Sequence, residues 1–570
     1  MLRFLSKAAT AASLLLSLPL IPNVAAESLP HPIEQLLRRQ LPASPKGVKT
    51  ITTPNNVTVR YKEPGLEGVC ETTPGVKSYS GYVDLDEHTH MFFWFFEARK
   101  NPDKAPITLW LNGGPGSDSL ISLFSGNLPA IGPCNVTANG TAVLNPYSWT
   151  EESNMLFLSQ PVGVGFSYQE KIKGNYDNAT GVAVNSSNPT GRFSGIREDY
   201  STDRTALAAV TAWEVMQAFF GTLPRLDPTV QSRRFHLWTE SYGGHWGPGF
   251  YRYFYEQNER IRNGTTGSRG VQLELESLGI INGLISARIQ YPFWPEFARN
   301  NTYGISVDEF TYKLMKLNME MEGGCKTAID TCLLADALPQ GDDAAFFCGY
   351  AHRVCNSLAL GPYTLLGGRD VYDVRAAAGA DDALGVDLNY TDKFSVGVNL
   401  AFGLQGDPVR DTTFHDLEWL LAKGVRVALV YGDADFICNW EGGEAVSLSL
   451  KWPNATAFAK AGYAPFTVAA SSPNSTANNK TYGDTRQYGG LSFTRVYEAG
   501  HIVPYYQPAA SLELFRRVLR DRVLAGGGDV LVTPTFESHG PANATATNSG
   551  WDTGAMFTGR PGDWKKRRGV

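Results

Sequence analysis

The sequence predicts an α/β fold: one mixed central sheet flanked by helices, interrupted by a helical, disulfide-bonded cap insertion. Short apolar runs of strand length alternate with amphipathic helical patterns on both sides of residues 283–400. Across that stretch the pattern changes to helical segments, a cysteine cluster and loops rich in glycine and aspartate. A chain of 570 residues, 43% of them hydrophobic, can also bury a large core. The expected division is a core from 40 to 282, the cap from 283 to 400, a second core part from 401 to 530 and a flexible polar tail from 531 to 570.

The N-terminus reads as an export signal. Arg3 and Lys7 precede an apolar stretch from Ala11 to Ile21, and Val24-Ala25-Ala26 is a small-residue cleavage site, so residues 1–26 are expected to be a signal peptide. The apolar run is too short to span about 30 Å of hydrocarbon, and no later segment resembles a membrane span. Arg38-Arg39 marks a possible end to a pro-segment over 27–39; two arginines closing a helix would look the same. Asn-x-Ser/Thr sequons at Asn56, Asn135, Asn139, Asn178, Asn263, Asn300, Asn389, Asn454, Asn474 and Asn543 agree with N-linked glycans on an exported chain. Charged residues make up 19% with a formal net charge of −6, which argues against disorder and against a nucleic-acid binder.

The elements follow in order. Val76 to Asp84 and Met91 to Glu97 fit two antiparallel strands around Asp86-Glu87-His88. Ile107 to Asn112 is a buried strand ending in Asn112-Gly113-Gly114-Pro115-Gly116, where backbone amides can approach a ligand. Met155 to Ser159 is another, followed by Gln160 to Tyr168. Glu198 to Phe220 reads as a long helix, Phe235 to Trp238 and Leu278 to Ile281 as strands. After the insertion come a helix from Thr413 to Ala422, strands from Val425 to Tyr431 and Leu491 to Tyr497, and a helix from Ala509 to Val523. The last stretch, 533–570, is rich in Gly, Thr, Asn and Pro and is expected to be mobile; it lacks the hydrophobic end that a lipid-anchor signal needs.

Seven cysteines on an oxidising route leave one over after pairing. Cys325, Cys332, Cys348 and Cys355 are symmetrically spaced, which suits nested bridges Cys325–Cys355 and Cys332–Cys348. Zinc is the competing reading, weakened by the absence of histidine and of C-x-x-C from the cluster. Cys70 and Cys134 are then partners and Cys438 stays free.

Three stretches carry the chemistry. Leu237-Trp238-Thr239-Glu240-Ser241-Tyr242-Gly243-Gly244-His245 reads as strand, sharp turn and helix with Ser241 at the turn, although Thr239 stands where the usual G-x-S-x-G elbow has its first glycine. A serine hydroxyl needs a base to take its proton, and the base needs an acid to orient it. The strand from Val425 delivers Gly432-Asp433-Ala434-Asp435, and the strand from Leu491 delivers Glu498-Ala499-Gly500-His501, both past a strand's C-terminal end, where an open α/β sheet places its site. The order Ser241, Asp435, His501 is that of an α/β-hydrolase. Asp433 or Asp435 could instead bond the amides of its own turn. Three motifs after three strands favour catalysis.

These stretches, with Ser80-Gly81-Tyr82-Val83, Trp110 to Gly116, Gln160 to Tyr168, Gly432 to Trp440 and Gly500 to Pro504, resemble the serine carboxypeptidase family from about Ser80 to Pro504. The resemblance implies Ser241 as nucleophile, His501 as base and Asp435, not Asp433, as its orienter. It places the oxyanion hole at the backbone amides of Gly114 and Tyr242, and the substrate's terminal carboxylate on Asn112, Gly113 and Glu240. A glutamate holds a carboxylate only by sharing a proton with it, so peptide cleavage is expected to have an acidic optimum. No cofactor or metal is implied. The expected partners are peptide or protein C-termini, and the expected location is outside the cell or in a vacuole or lysosome.

Three positions depart from the family pattern. Ser117 stands where the family has a cysteine, Ala130 where it has a second carboxylate-binding glutamate, with Asn127 as a substitute donor, and Cys438 matches the family's free pocket cysteine. Two further readings fit the same residues, an acyltransferase using the same triad and a catalytically silent binding protein.

Overall fold

A computed structural model describes residues 46–544, apart from 54, 124–130, 138–140, 178–181, 186, 188–190, 196–201, 266–269, 339–341, 379–393 and 470–479. The expected leader and pro-segment, Asn127, Ala130 and residues 545–570 lie outside the described residues. In chain order the strands are β1 (Lys49–Thr52), β2 (Thr58–Lys62), β3 (Ser78–Asp84), β4 (His90–Phe96), β5 (Ile107–Leu111), β6 (Cys134–Val136), β7 (Ala142–Leu144), β8 (Asn154–Leu158) and β9 (Glu170–Asp177). There follow β10 (Val182–Asn185), β11 (Gly191–Gly195), β12 (Arg234–Glu240), β13 (Glu274–Ile281), β14 (Arg426–Gly432), β15 (Tyr463–Val468), β16 (Lys480–Tyr488) and β17 (Leu491–Val496).

Twelve of these form one sheet in the order β1-β2-β3-β4-β8-β5-β12-β13-β14-β17-β16-β15. The six strands from β8 to β17 in that order are parallel, and the three outer pairs at the β1 end, the β4–β8 junction and the two pairs at the β15 end are antiparallel. Sequence composition follows this division. The parallel strands β5, β8 and β14 are buried at every position, because helices cover both faces, whereas β2 and β3 alternate between buried and half-buried positions.

On one face the helices Thr205–Leu226 and Gly243–Arg262 bury Phe219, Trp246, Phe250 and Phe254 against the sheet. On the other, Trp110, Trp149 and Trp238 pack with Phe515 of the helix Pro508–Leu519; the Trp149 and Phe515 rings stack at 4.0 Å. Among the described residues one helix, Thr205–Leu226, is long and apolar enough to cross a membrane, and it is largely buried in this core.

Between β13 and β14 lies the helical insertion. Its helices Cys325–Asp336 and Asp342–Val354 are joined by the Cys332–Cys348 bridge, and Cys325–Cys355 closes the same pair from the other end. A third bridge links Cys70 and Cys134, and Cys438 is free and buried. The loop carrying Ser117 is held to the insertion by backbone instead of sulfur: Ser117 pairs with Phe394, the Ser395 amide donates to the Gly116 carbonyl at 2.8 Å, and Asn399 Nδ2 donates to the Pro115 carbonyl at 3.1 Å.

Several boundaries differ from expectation. The long helix begins at Thr205, where Asp407, some two hundred residues later, accepts from the Thr205 amide at 3.1 Å and hydroxyl at 2.6 Å; a cap from so far along the chain leaves no local signature. The C-terminal helix stops at Leu519 because the chain turns back, Val523 donating to Val530 and Val532 to Asp521. The strands β1, β2, β15 and β16 lie in segments to which no strand had been assigned. Part of the expected tail, 531–544, lies within the described residues. Through residue 544 it packs on the sheet edge: Ser538 joins Gln487 and Gly462, the Tyr463 amide donates to Pro541, and Arg495 Nη1 donates to the Ala544 carbonyl. Most of its residues stay exposed, with Ser538 and Ala544 buried at the points of attachment.

Candidate active site

At the C-terminal end of β12 the chain reverses into the helix Gly243–Arg262 with Ser241 at φ 65°. A non-glycine residue in the left-handed region is strained and persists only where its surroundings fix it. Here the Ser241 amide donates to Ile281 at 2.9 Å, and its carbonyl accepts from Gly244 and Leu284, both at 2.9 Å. The two outer positions of the elbow, 239 and 243, pack against each other, and one bare position is enough. Thr239 is fully buried with its Oγ1 donating to the Gly243 carbonyl at 2.8 Å, and a Cβ on Gly243 would lie 2.5 Å from Thr239 Cβ. Since Gly243 is bare, Thr239 fits where the usual motif has glycine. Gly244 is equally constrained, its Cβ falling 2.2 Å from the Leu284 carbonyl.

The expected acid and base follow two adjacent parallel strands, β14 and β17. Asp435 follows β14 and His501 follows β17; both are buried, with His501 Nδ1 2.8 Å from Asp435 Oδ2. Burial alone pushes the His501 imidazole down, but the charge and hydrogen bond of Asp435, with the charge of Glu240 beyond, raise it above the ordinary histidine value. With Nδ1 engaged, Nε2 is the nitrogen left for a serine proton. Asp433 has a different environment. Tyr303 donates to it, and Arg495 Nη2 lies 3.4 Å from its other oxygen.

Asn282 was not singled out in the sequence, yet it braces this pair. It follows β13 at φ 43°, its Nδ2 donates to Asp435 Oδ2 at 2.8 Å, and its Oδ1 accepts from the Gly432 amide at 3.0 Å. Its signal was an asparagine at the end of a strand lying between those of the serine and the aspartate, one of the few residue types that tolerates positive φ. Asn282→Leu leaves buried Asp435 without this donor, a cost of about 1–3 kcal/mol. The expected result is a fall in kcat of about one to two orders of magnitude, measured on a blocked dipeptide; an unchanged kcat contradicts the bracing role.

The residues assigned to the terminal carboxylate also come together. Trp110 Nε1 donates to Asn112 Oδ1 at 2.9 Å, which turns the Asn112 amide nitrogen toward Glu240 Oε1 at 3.0 Å. Glu240 is buried, and its Oε2 has no hydrogen-bond partner among the described residues. Burial first, then the Asp435 charge, pushes its carboxyl up to about 7 against the opposing effects of His501 and Asn112. Gly113 packs so closely on the elbow that a Cβ there would lie 2.3 Å from the Tyr242 nitrogen and 2.7 Å from Ser241 Cβ. This sets the Gly113-Gly114 backbone beside Ser241. The Tyr242 hydroxyl donates to Asp407, the same carboxylate that caps the long helix.

A cavity of ≈ 200 Å³ adjoins Gly114 and Tyr242. Leu284, Tyr291, Trp294 and Ile437 form its apolar side, and His352, Asn356 and Asn399 of the insertion its polar side. Cys438 also lines it, with Sγ within 4.8 Å of donor atoms of Asp435 and His501. Burial, then the charges of Asp435 and Glu240, holds its thiol well above the usual range, so it stays protonated and is a poor nucleophile.

The family model described as serine carboxypeptidase matches residues 64–521. Carboxypeptidase S1 homolog B of Arthroderma otae is 37% identical over 86% of this chain and 80% of its own length. Carboxypeptidase S1 of Penicillium janthinellum is 33% identical over 80% of this chain and 98% of its own. Among solved structures, Kex1(delta)p of Saccharomyces cerevisiae, a prohormone-processing carboxypeptidase, shares the fold at a TM-score of 0.57 and 22% identity, covering 80% of this chain and 94% of that one. A family match across most of the sequence and relatives above 30% identity place this chain in the serine carboxypeptidase family.

Proposed function

We propose that Ser241, His501 and Asp435 are the catalytic triad of this serine carboxypeptidase. Ser241 Oγ attacks the carbonyl of the last peptide bond while His501 Nε2 takes its proton. The amides of Gly114 and Tyr242 receive the oxyanion, an interaction worth about 3–4 kcal/mol in comparable sites. His501 then protonates the leaving amino acid, and water resolves the acyl-enzyme.

One observation supports the exopeptidase reading above others: next to the elbow, Glu240 is buried, aligned by Asn112 and pushed up to about 7. Below that pH the carboxyl is protonated and can share its proton with a substrate carboxylate; above it two like charges must face each other. The KM for peptides is therefore expected to rise about tenfold per pH unit above 7, while esters or amides without a free carboxylate show no such rise. Glu240→Gln, which donates a hydrogen bond without titrating, is expected to flatten the profile. Steady-state kinetics from pH 5 to 9 on a blocked dipeptide and its amide measure both, and a wild-type peptide KM that stays flat contradicts the role of Glu240.

The leader at 1–26 and the sequons support passage through the secretory pathway, to the outside or to a vacuole or lysosome, with N-linked glycans. Asn56, Asn263, Asn300 and Asn543 are exposed, as glycan acceptors must be. The pattern of helices between β13 and β14 supports a cap over 283–400, and the residues preceding 40 support removal of a leader and a short pro-segment.

A further inference from the structure

We propose that the hairpin Arg369–Ala377 of the insertion belongs to the catalytic apparatus, holding the loops of His501 and Asp435 in register, and that Arg375 and Asp373 are its positioning residues. The inference rests on the reading of His501 as the base.

The hairpin closes through the bridge Arg369–Ala377 and the Asp370 amide donating to Ala376 at 3.1 Å. Its tip lies between the two catalytic loops and bonds to both. The His501 amide donates to the Tyr372 carbonyl at 2.8 Å, and the rings of Tyr372 and His501 are 4.9 Å apart. On the other side the Phe436 and Ile437 amides donate to the Val371 carbonyl at 3.2 and 3.0 Å, and the Val374 amide donates to Ala434 at 2.9 Å. So the residues on both sides of Asp435 are tied to the same four-residue tip that fixes the backbone of His501. The fit is close: a Cβ on Gly500 would lie 2.6 Å from the Tyr372 carbonyl oxygen.

The tip is kept in shape by side chains. Asp370 Oδ1 accepts from the Tyr372 and Asp373 amides at 2.7 and 3.2 Å. Asp373 accepts from the Arg375 amide, Nε and Nη2 at 3.0, 2.8 and 2.7 Å. The Arg375 guanidinium lies over the rings of Tyr303 and Tyr506, 5.3 and 5.1 Å from their centroids. Tyr303 in turn donates to Asp433 and accepts from the Glu498 amide at 3.0 Å, which returns the chain of contacts to both catalytic loops. A planar guanidinium can stack on aromatic rings and bond a carboxylate at two points together; a lysine ammonium cannot. The core strands deliver the acid and base, and the insertion sets their separation.

Arg375→Met is expected to lower kcat on a blocked dipeptide about 10²-fold, the effect of a displacement of about 1 Å between reacting groups. KM should change little, labelling of Ser241 by a fluorophosphonate should slow in parallel, and the low-field proton resonance of the His501–Asp435 pair should shift or vanish. Arg375→Lys is expected to restore only a small part. A folded Arg375→Met with unchanged kcat and resonance, or with its whole loss in KM, overturns the proposal. If Arg375→Met does not fold, Asp373→Asn is judged by the same readings. If the wild-type protein neither releases an amino acid nor is labelled at Ser241, the functional reading fails and the proposal with it.

Discussion

Ser241→Ala is expected to lower kcat for release of a C-terminal residue by about 10⁶-fold, with the protein folded and its thermal transition kept. The magnitude follows from the way a serine triad works as a unit: once the nucleophile is gone, base and acid have nothing to activate, and only binding and the oxyanion donors remain. The environment of Ser241 makes the substitution a clean one. The elbow is fixed by main-chain bonds of Ser241 to Ile281, Gly244 and Leu284 and by the bare positions Gly243 and Gly244, none of which uses the hydroxyl. Alanine at positive φ carries the same Cβ strain as serine. Steady-state kinetics on a blocked dipeptide beside thermal denaturation separates the outcomes, and a Ser241→Ala protein retaining even a hundredth of wild-type kcat contradicts the assignment.

Asp435→Asn is expected to cost about 10⁴-fold in kcat near neutral pH. Asp435 Oδ2 sits 2.8 Å from His501 Nδ1 and 2.8 Å from Asn282 Nδ2, so it accepts from both. An asparagine there lacks the negative charge that stabilises the imidazolium, even when its oxygen faces both donors. Turned the other way, it offers His501 a donor, which places the imidazole proton on Nε2, the wrong nitrogen for a base. KM for an ester without a free carboxylate should be nearly unchanged, whereas for peptides the loss of the Asp435 charge lowers the Glu240 carboxyl and moves the rise in KM to lower pH. Asp433 provides the contrast. Buried between Tyr303 and Arg495, it holds a loop together. Asp433→Asn should lower the thermal transition more than it lowers kcat in the protein that remains folded. Equal kinetic losses at the two positions contradict the choice of Asp435.

Much of this was legible in the sequence because it is encoded where the chain turns. An elbow serine followed by two glycines, an aspartate-rich turn after an apolar strand, and Gly500-His501 after another each mark a strand's C-terminal end, and parallel strands bring those ends to one edge. The symmetric spacing of Cys325, Cys332, Cys348 and Cys355 likewise carried its pairing. What could not be read depends on partners far apart in the chain. Asp407 caps a helix that begins two hundred residues earlier and accepts from Tyr242 as well. Asn282 acquires its role only when β13 lies between β12 and β14. The carbonyls of Val371 and Tyr372 act through the main chain and so leave no mark on side-chain composition. Thr239 looked like a defect because the motif is read residue by residue, whereas the constraint belongs to the pair Thr239 and Gly243. The polar residues to 544 carry no strand signal because edge pairing satisfies polar side chains and backbone with little apolar surface.

Peptide cleavage is expected to pass through a covalent intermediate on Ser241, next to the Glu240 carboxyl that selects a free carboxylate. The most direct measurement is rapid acid quenching of the enzyme with a slow ester substrate, followed by mass spectrometry of the peptide containing Ser241. An acyl group on Ser241 is expected to accumulate within one turnover and to be absent from the Ser241→Ala protein. An unmodified Ser241 peptide during turnover, or an acyl group on Cys438 in its place, would contradict it.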